Sequence, residues 1–181
     1  SVGSADKKTG IPHVESKRAV EEHIARIGAR AAILRPVYFM ENAIAFGAEQ
    51  LRQGVYATPL TPGRRLAQIA VADIAAVAVL ALENPARFEG KARDLAGDQV
   101  SGQDAVEILS RVTGRKFTYF QVPMQVVRES MGEDFARMYE YFEKTGYDVS
   151  LSALQREFSE IRWHSYEAWA RSVDWKAILA G

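Results

Sequence analysis

The chain has 181 residues, 48% of them hydrophobic, and its 23 Lys and Arg balance 23 Asp and Glu to a formal net charge of zero. With no excess cation to neutralise phosphates, a nucleic-acid or acidic-membrane ligand is disfavoured. The lack of cysteine excludes thiol catalysis, Cys-ligated zinc and disulfides, three scattered histidines (His13, His23, His164) suggest no metal site, and no apolar run approaches the ~20 residues of a membrane span. A cytoplasmic protein acting on a small molecule is expected.

The first ten residues, SVGSADKKTG, read as a loop. Pro12 suits the first position of a helix, where its missing N–H costs nothing, and Val14, Val20, Ile24 and Ile27 recur at helical spacing up to a stop at Gly28. Residues 30–35, apolar at the centre and halted by Pro36, predict a buried strand. Helical spacing returns over 38–53 and ends at Gly54. Within 55–65, Thr-Pro-Leu-Thr-Pro-Gly predicts turns around short extended pieces, and 66–71 predicts a strand. Asp73 opens an apolar helix that runs through Leu82 and closes at Asn84-Pro85. A strand over 91–96 follows, then a helix capped by Ser101 and Asp104 and stopped by Gly114, then a strand over 116–122. Helical segments over 124–131, 134–144, 151–158 and 165–173 make the last third helical and aromatic. Alternating helix and strand predicts an α/β fold with a parallel sheet, although only two or three strands stand out. No G-x-G-x-x-G or phosphate-loop motif occurs.

Two segments carry candidate chemistry. His13 and Lys17 lie four apart, so they project from one helix face. The positive helix end and the Lys17 ammonium both favour a neutral imidazole, suited to hydrogen bonding a polarised carbonyl while the ammonium holds hydroxyls. The same spacing is equally at home on a solvated face. In the second segment, a strand stopping at Pro36 places its loop at the carboxyl edge of a sheet, where open α/β folds bind ligands. There Asn42 and the backbone near Val37 suit a carboxamide and Phe39 a flat ring, although Tyr38, Phe39 and Met40 would also serve to pack a helix on a core.

The blocks SVGSADKKTGIPHVESKRAVEEHI, ARAAILRPVYFMEN and LAQIAVADIAAVAV, with RWHSYEAWARSVDW near the end, resemble the NmrA-like family of atypical short-chain dehydrogenase/reductase proteins. The resemblance implies the C-terminal part of a Rossmann-like parallel sheet with a mostly helical substrate-binding lobe. Residues 1–100 would be a C-terminal remnant of the NAD(P)-binding domain, and 101–181 the substrate lobe. His13 stands where typical relatives place the Tyr of Tyr-x-x-x-Lys, which implies a catalytic His13 and Lys17, and Ser1 resembles a serine ending the central strand. Lys17, Pro36, Val37, Phe39 and Asn42 would bind the cofactor, NADP or NAD. The implied activity is reduction of a small carbonyl or quinone, with a non-catalytic NAD(P) sensor acting through a protein partner as the alternative. The aromatic run Phe135, Met138, Tyr139, Tyr141, Phe142 and Tyr147 would be a lid over the nicotinamide end or an ordinary core, and Trp169 and Trp175 would anchor the C-terminus. Because the glycine-rich pyrophosphate loop is absent from this sequence, the chain is expected to be a fragment that self-associates or pairs with a complementing N-terminal segment.

Overall fold

A computed structural model describes residues 1–180; Gly181, the last residue of the expected substrate lobe, lies outside the described residues. Helix α1 (Pro12–Arg26) has Pro12 in its first turn and ends before Gly28, whose φ of +64° only glycine adopts without strain. Strand β1 (Ile33–Pro36) pairs in parallel with β5 (Ala92–Leu95), Ile33 opposite Ala92 and Pro36 opposite Leu95.

The single helix expected over 38–53 is instead three pieces: β2 (Tyr38–Phe39), α2 (Asn42–Ala45) and α3 (Ala48–Arg52). The cause is tertiary. Residues 38–39 are drawn into parallel pairing with β4 (Leu66–Ile69), and the Met40 N–H donates to the Ile69 carbonyl at 2.9 Å. Extended pairing there outweighs the helical spacing of the apolar residues. Gly47 then lets the chain fold tightly, since a Cβ at that position would lie 2.6 Å from the Ala43 carbonyl oxygen.

Strand β3 (Val55–Thr58) precedes β4, and α4 (Val71–Glu83) starts two residues before Asp73. Asp73 is therefore not its cap. The cap comes from afar, with the Val71 N–H donating to Glu41 Oε1 at 3.0 Å. After α5 (Pro85–Phe88) and β5, an unanticipated strand β6 (Asp98–Val100) runs antiparallel to β4. Helix α6 (Gly102–Thr113) has the expected reciprocal Ser101/Asp104 cap, and Gly114 ends it at φ +72°. Strand β7 (Thr118–Gln121) pairs in parallel with β3. The remaining elements are helices: α7 (Met124–Met131), α8 (Glu133–Lys144), α9 (Leu151–Glu157), α10 (Tyr166–Ser172) and an unanticipated α11 (Trp175–Leu179).

Among the described residues the strands number seven rather than two or three, grouped as β1–β5, β2–β4–β6 and β3–β7. The excess consists of two- to four-residue strands whose identity depends on their partners. Trp169 and Trp175 are buried and meet edge to face at 6.0 Å; the Trp169 indole donates to Glu41 and the Trp175 indole to the Ala170 carbonyl, tying the C-terminal segment to the body. One hydrophobic cluster joins Ile11 and Val14 of the α1 region to Val127, Met138, Tyr139 and Phe142 of α7 and α8.

A charged network secures the N-terminal loop. Arg35, at the end of β1, grips both oxygens of Glu21 on α1 and reaches Asp6 at 3.4 Å and Asp94 at 3.8 Å. Burial would raise the Glu21 carboxyl, but bonds from Arg35 and Ser1 outweigh it and hold Glu21 below its ordinary value of 4.5. Burial wins at Asp94, whose carboxyl sits above its ordinary value despite the Ser4 N–H and Arg35. The signs oppose. A depressed Glu21 contributes stability above pH 4.5 that is lost as pH falls through its folded value, while a raised Asp94 makes stability fall as pH rises through its own window. Glu21→Gln is therefore expected to flatten the acid limb of a stability–pH curve and Asp94→Asn to steepen it, as read by denaturant melts between about pH 3 and 6.

Candidate active site

The carboxyl end of β1 opens on a cavity of about 250 Å³. One wall is the loop of Ser1 to Ser4 with Thr9 and Ile11, a second is the α1 start at His13 and Val14, and a third is the stretch from Pro36 to Phe39 with Asn42 and Phe46. Helix α8 and the loop after it close the cavity with Phe135, Met138, Tyr139, Tyr141, Phe142 and Tyr147. A second cavity of about 130 Å³ shares Tyr38, Asn42, Phe46 and Tyr139 with it and extends between α2, β3 and α7.

Of the residues singled out from sequence, His13, Pro36, Val37, Phe39 and Asn42 converge on this one cavity. Lys17 does not line it. It is exposed one helical turn from His13, near enough to Ser1 for its charge to bear on the terminal amino group. Val37 is buried, with its N–H donating to the Leu95 carbonyl at 3.1 Å, so its wall position is fixed by the β1–β5 pairing. Phe39 and Phe46 are exposed at the mouth. Among the described residues, no protein hydrogen bond engages the side-chain amide of Asn42, which leaves it available to a ligand.

The His13 ring is held from the other side of the cavity. Its Nδ1 lies 2.9 Å from Oδ1 of Asp134, in the first turn of α8, and the His13 backbone N–H reaches the same oxygen at 3.4 Å. The residue before α1, Ile11, offers no side-chain cap. The loop leading into the helix is instead organised by Glu15, which accepts from the N–H groups of Thr9 and Gly10. Those bonds and the Arg18 guanidinium keep its carboxyl below the ordinary range.

The aromatic residues of α8 are divided between core and cavity. Tyr139 and Phe142 are buried core side chains that also face the cavity, and the Tyr38 and Tyr139 hydroxyls meet at 3.3 Å. Burial raises the phenols of Tyr38, Tyr139 and Tyr147, so they stay protonated and act as hydrogen-bonding groups rather than bases. Gly3 permits the close approach of the N-terminal loop, since a Cβ there would meet the Tyr147 ring at 2.9 Å.

Two residues of the site, the wall residue Ser4 and the His13 partner Asp134, carry no signal in the sequence. Asp134 is 121 positions from His13 and carries no local motif. Ser4 is buried at φ +66°, a conformation that non-glycine residues seldom adopt and that often accompanies a functional wall. Nothing in the sequence around Ser4 marks that backbone angle.

Parallel strands alternating with helices, the carboxyl end of β1 opening on a cavity, define a Rossmann-like α/β protein. The chain belongs to the NmrA-like family, which matches residues 1–170. Over 112 residues it is 29% identical to an NAD(P)H azoreductase of Xenophilus azovorans, covering 61% of this chain and 38% of that protein. The fold is similar to a nucleoside-diphosphate-sugar epimerase of Staphylococcus aureus (TM-score 0.77, 17% identity, 92% of this chain and 61% of that one). It is also similar to the NADPH complex of the NADPH-dependent quinone oxidoreductase of Escherichia coli (TM-score 0.71, 20% identity, 94% and 62%). The chain thus spans about three-fifths of the length of these solved structures and less of the azoreductase. Among the described residues no helix is long and apolar enough to cross a membrane, and no cluster of His, Asp and Glu is arranged to hold a metal.

Proposed function

We propose that this chain is the substrate-facing part of a cytoplasmic NAD(P)H-dependent reductase acting on a flat, apolar acceptor, a quinone or a small conjugated carbonyl. The observation that carries this reading is the convergence of His13, Pro36, Val37, Phe39 and Asn42 on one cavity that α8 closes with aromatic side chains. The lining fits a nicotinamide. Asn42 offers an amide to the carboxamide, the 36–37 backbone lies at the strand end where such rings sit, and Phe39 covers a ring face. Lys17 would hold the ribose from outside the cavity. A bound nicotinamide cofactor supplies the hydride; the chain's own part is to orient the acceptor, exclude water and deliver a proton. His13 gives that proton from Nε2 to the acceptor oxygen as the hydride arrives, so a carbonyl leaves as an alcohol or a quinone as a hydroquinone, and the ring is reprotonated from water. Imidazole suits the task because it both gives and takes a proton near neutral pH. The activities for which the azoreductase and the quinone oxidoreductase are named support the choice of acceptor. NADPH oxidation by the full-length protein, followed against quinones, azo compounds and aldehydes, tests the reading. Turnover with a flat acceptor is expected, and cofactor binding without turnover of any acceptor would replace it with the sensor reading.

The same proposal includes a partner for the open side of the sheet. Among the described residues β5 is the only strand that pairs with β1, whose other side receives a backbone bond from the Gly3 N–H at Pro36, and Ala31, Ala32, Ala81, Leu82 and Pro85 line a shallow depression rimmed by Arg30 and Glu89, with Leu82 82% exposed. An open strand edge next to exposed apolar surface recruits further strands or a second copy. In size-exclusion chromatography the isolated chain is expected to elute above 20.1 kDa in a concentration-dependent manner. A compact monomer with a cooperative melt would overturn this.

A further inference from the structure

We infer that Asp134 is the positioning residue for His13: it holds the Nδ1 proton and thereby turns Nε2 into the proton-carrying atom of the cavity. This rests on the proton role proposed for His13. An ionised carboxylate only accepts hydrogen bonds, so the 2.9 Å contact places a proton on Nδ1. Among the described residues Nε2 has no hydrogen-bond partner, which leaves it for a ligand. The same Asp134 oxygen is reached by the His13 backbone N–H at 3.4 Å, so ring and backbone are referred to one fixed point. The Phe135 ring, 6.3 Å from the imidazole and inclined by 33°, limits rotation on its face.

The arrangement follows a general pattern. A carboxylate bonded to one imidazole nitrogen selects the tautomer, orients the ring and stabilises the imidazolium, without itself becoming protonated. In the cycle proposed above, the imidazolium loses its Nε2 proton to the acceptor oxygen and becomes the neutral Nδ1–H form that Asp134 favours. Water at the half-exposed ring then restores the Nε2 proton. Asp134 also belongs to α8, the helix that carries half of the cavity's Phe and Tyr side chains, whereas His13 belongs to α1. The bond therefore forms only when α8 is seated against α1, so the proton carrier is assembled together with the substrate wall.

The experiment is ¹⁵N NMR of the imidazoles in the 181-residue chain, with only three histidines to assign by substitution, combined with kinetics of the full-length protein. In the wild type, neutral His13 is expected to carry its proton on Nδ1. In Asp134→Ala the ring is expected to revert mainly to the Nε2–H tautomer. kcat should fall about 10- to 100-fold with KM nearly unchanged, and the acid–base limbs of the pH–rate profile should shift. A purely structural role would lower thermal stability and leave tautomer and pH profile in place. The Nε2–H tautomer in the wild type overturns the assignment without any variant, and so does an Asp134→Ala spectrum and pH profile like the wild type. Full turnover in His13→Ala overturns instead the proton role on which the assignment rests, so the two failures are distinguishable.

Discussion

Replacing His13 with alanine is expected to lower acceptor-dependent NADPH oxidation by about 10²- to 10³-fold, the usual worth of a positioned general acid. The loss should appear in kcat, because the imidazole is one small patch of the lining, and under the proposed function the acceptor would be held by rings such as Phe39, Tyr139 and Phe142. Burial raises the phenols of Tyr38, Tyr139 and Tyr147 and so makes them weaker proton donors, and the Tyr38 and Tyr139 hydroxyls are already paired with each other. Lys17 lies outside the cavity. Restoration of rate by added imidazole would identify the missing group as a proton carrier rather than a packing element. Turnover of His13→Ala within twofold of wild type would remove His13 from the reaction.

The largest loss of stability is expected from Asp73→Ala. This carboxylate is 2% exposed, and it accepts from the His164 backbone N–H at 2.9 Å and from the His164 ring Nδ1 at 2.6 Å. The approach is close because residue 97 is glycine: a Cβ there would lie 2.7 Å from the His164 carbonyl oxygen and 3.1 Å from Asp73 Oδ2. Removing the carboxylate strands a buried N–H and detaches the segment that leads into α10, where the Tyr166 N–H is held by Asp98. Breaking a buried, doubly bonded pair costs about 3–5 kcal/mol, and the partly exposed His164 ring brings this towards ~2–4 kcal/mol. For a domain of this size that is a fall in Tm of about 5–15 °C by calorimetry. Asp73→Asn keeps the shape and one acceptor and should lose roughly half as much. A change in Tm below 2 °C for Asp73→Ala would show that the C-terminal segment is held by its tryptophans alone.

Local chemistry explains which elements were legible. α1 is written in its ends, with Pro12 at the start and Gly28 at a positive φ after the close. α6 is written in its Ser101/Asp104 cap and its Gly114 stop. The segment 38–53 was misread because its apolar spacing satisfies a helix, whereas two of its residues gain more by pairing with β4. Asp73 was misread as a cap for the same kind of reason: the real cap of α4 is Glu41, 30 positions earlier, and Asp73 is spent on His164. β6 exists because β4 is beside it, and a three-residue strand has no periodicity of its own to detect.

By itself the amino-acid sequence determined the α/β alternation, the ends of the well-capped helices, the family resemblance and most of the cavity's second and third walls, since His13 and the 36–42 stretch are set by Pro12, Pro36 and the helix and strand they bound. Only the tertiary structure decided that those two stretches share a cavity, that Lys17 stays outside it, and that Asp134 faces His13. The reason is range. Caps, turns and periodicity act over three or four residues, while the site is closed by contacts between α1 and α8, more than a hundred residues apart, whose partners are chosen by packing and not by any neighbour in the chain.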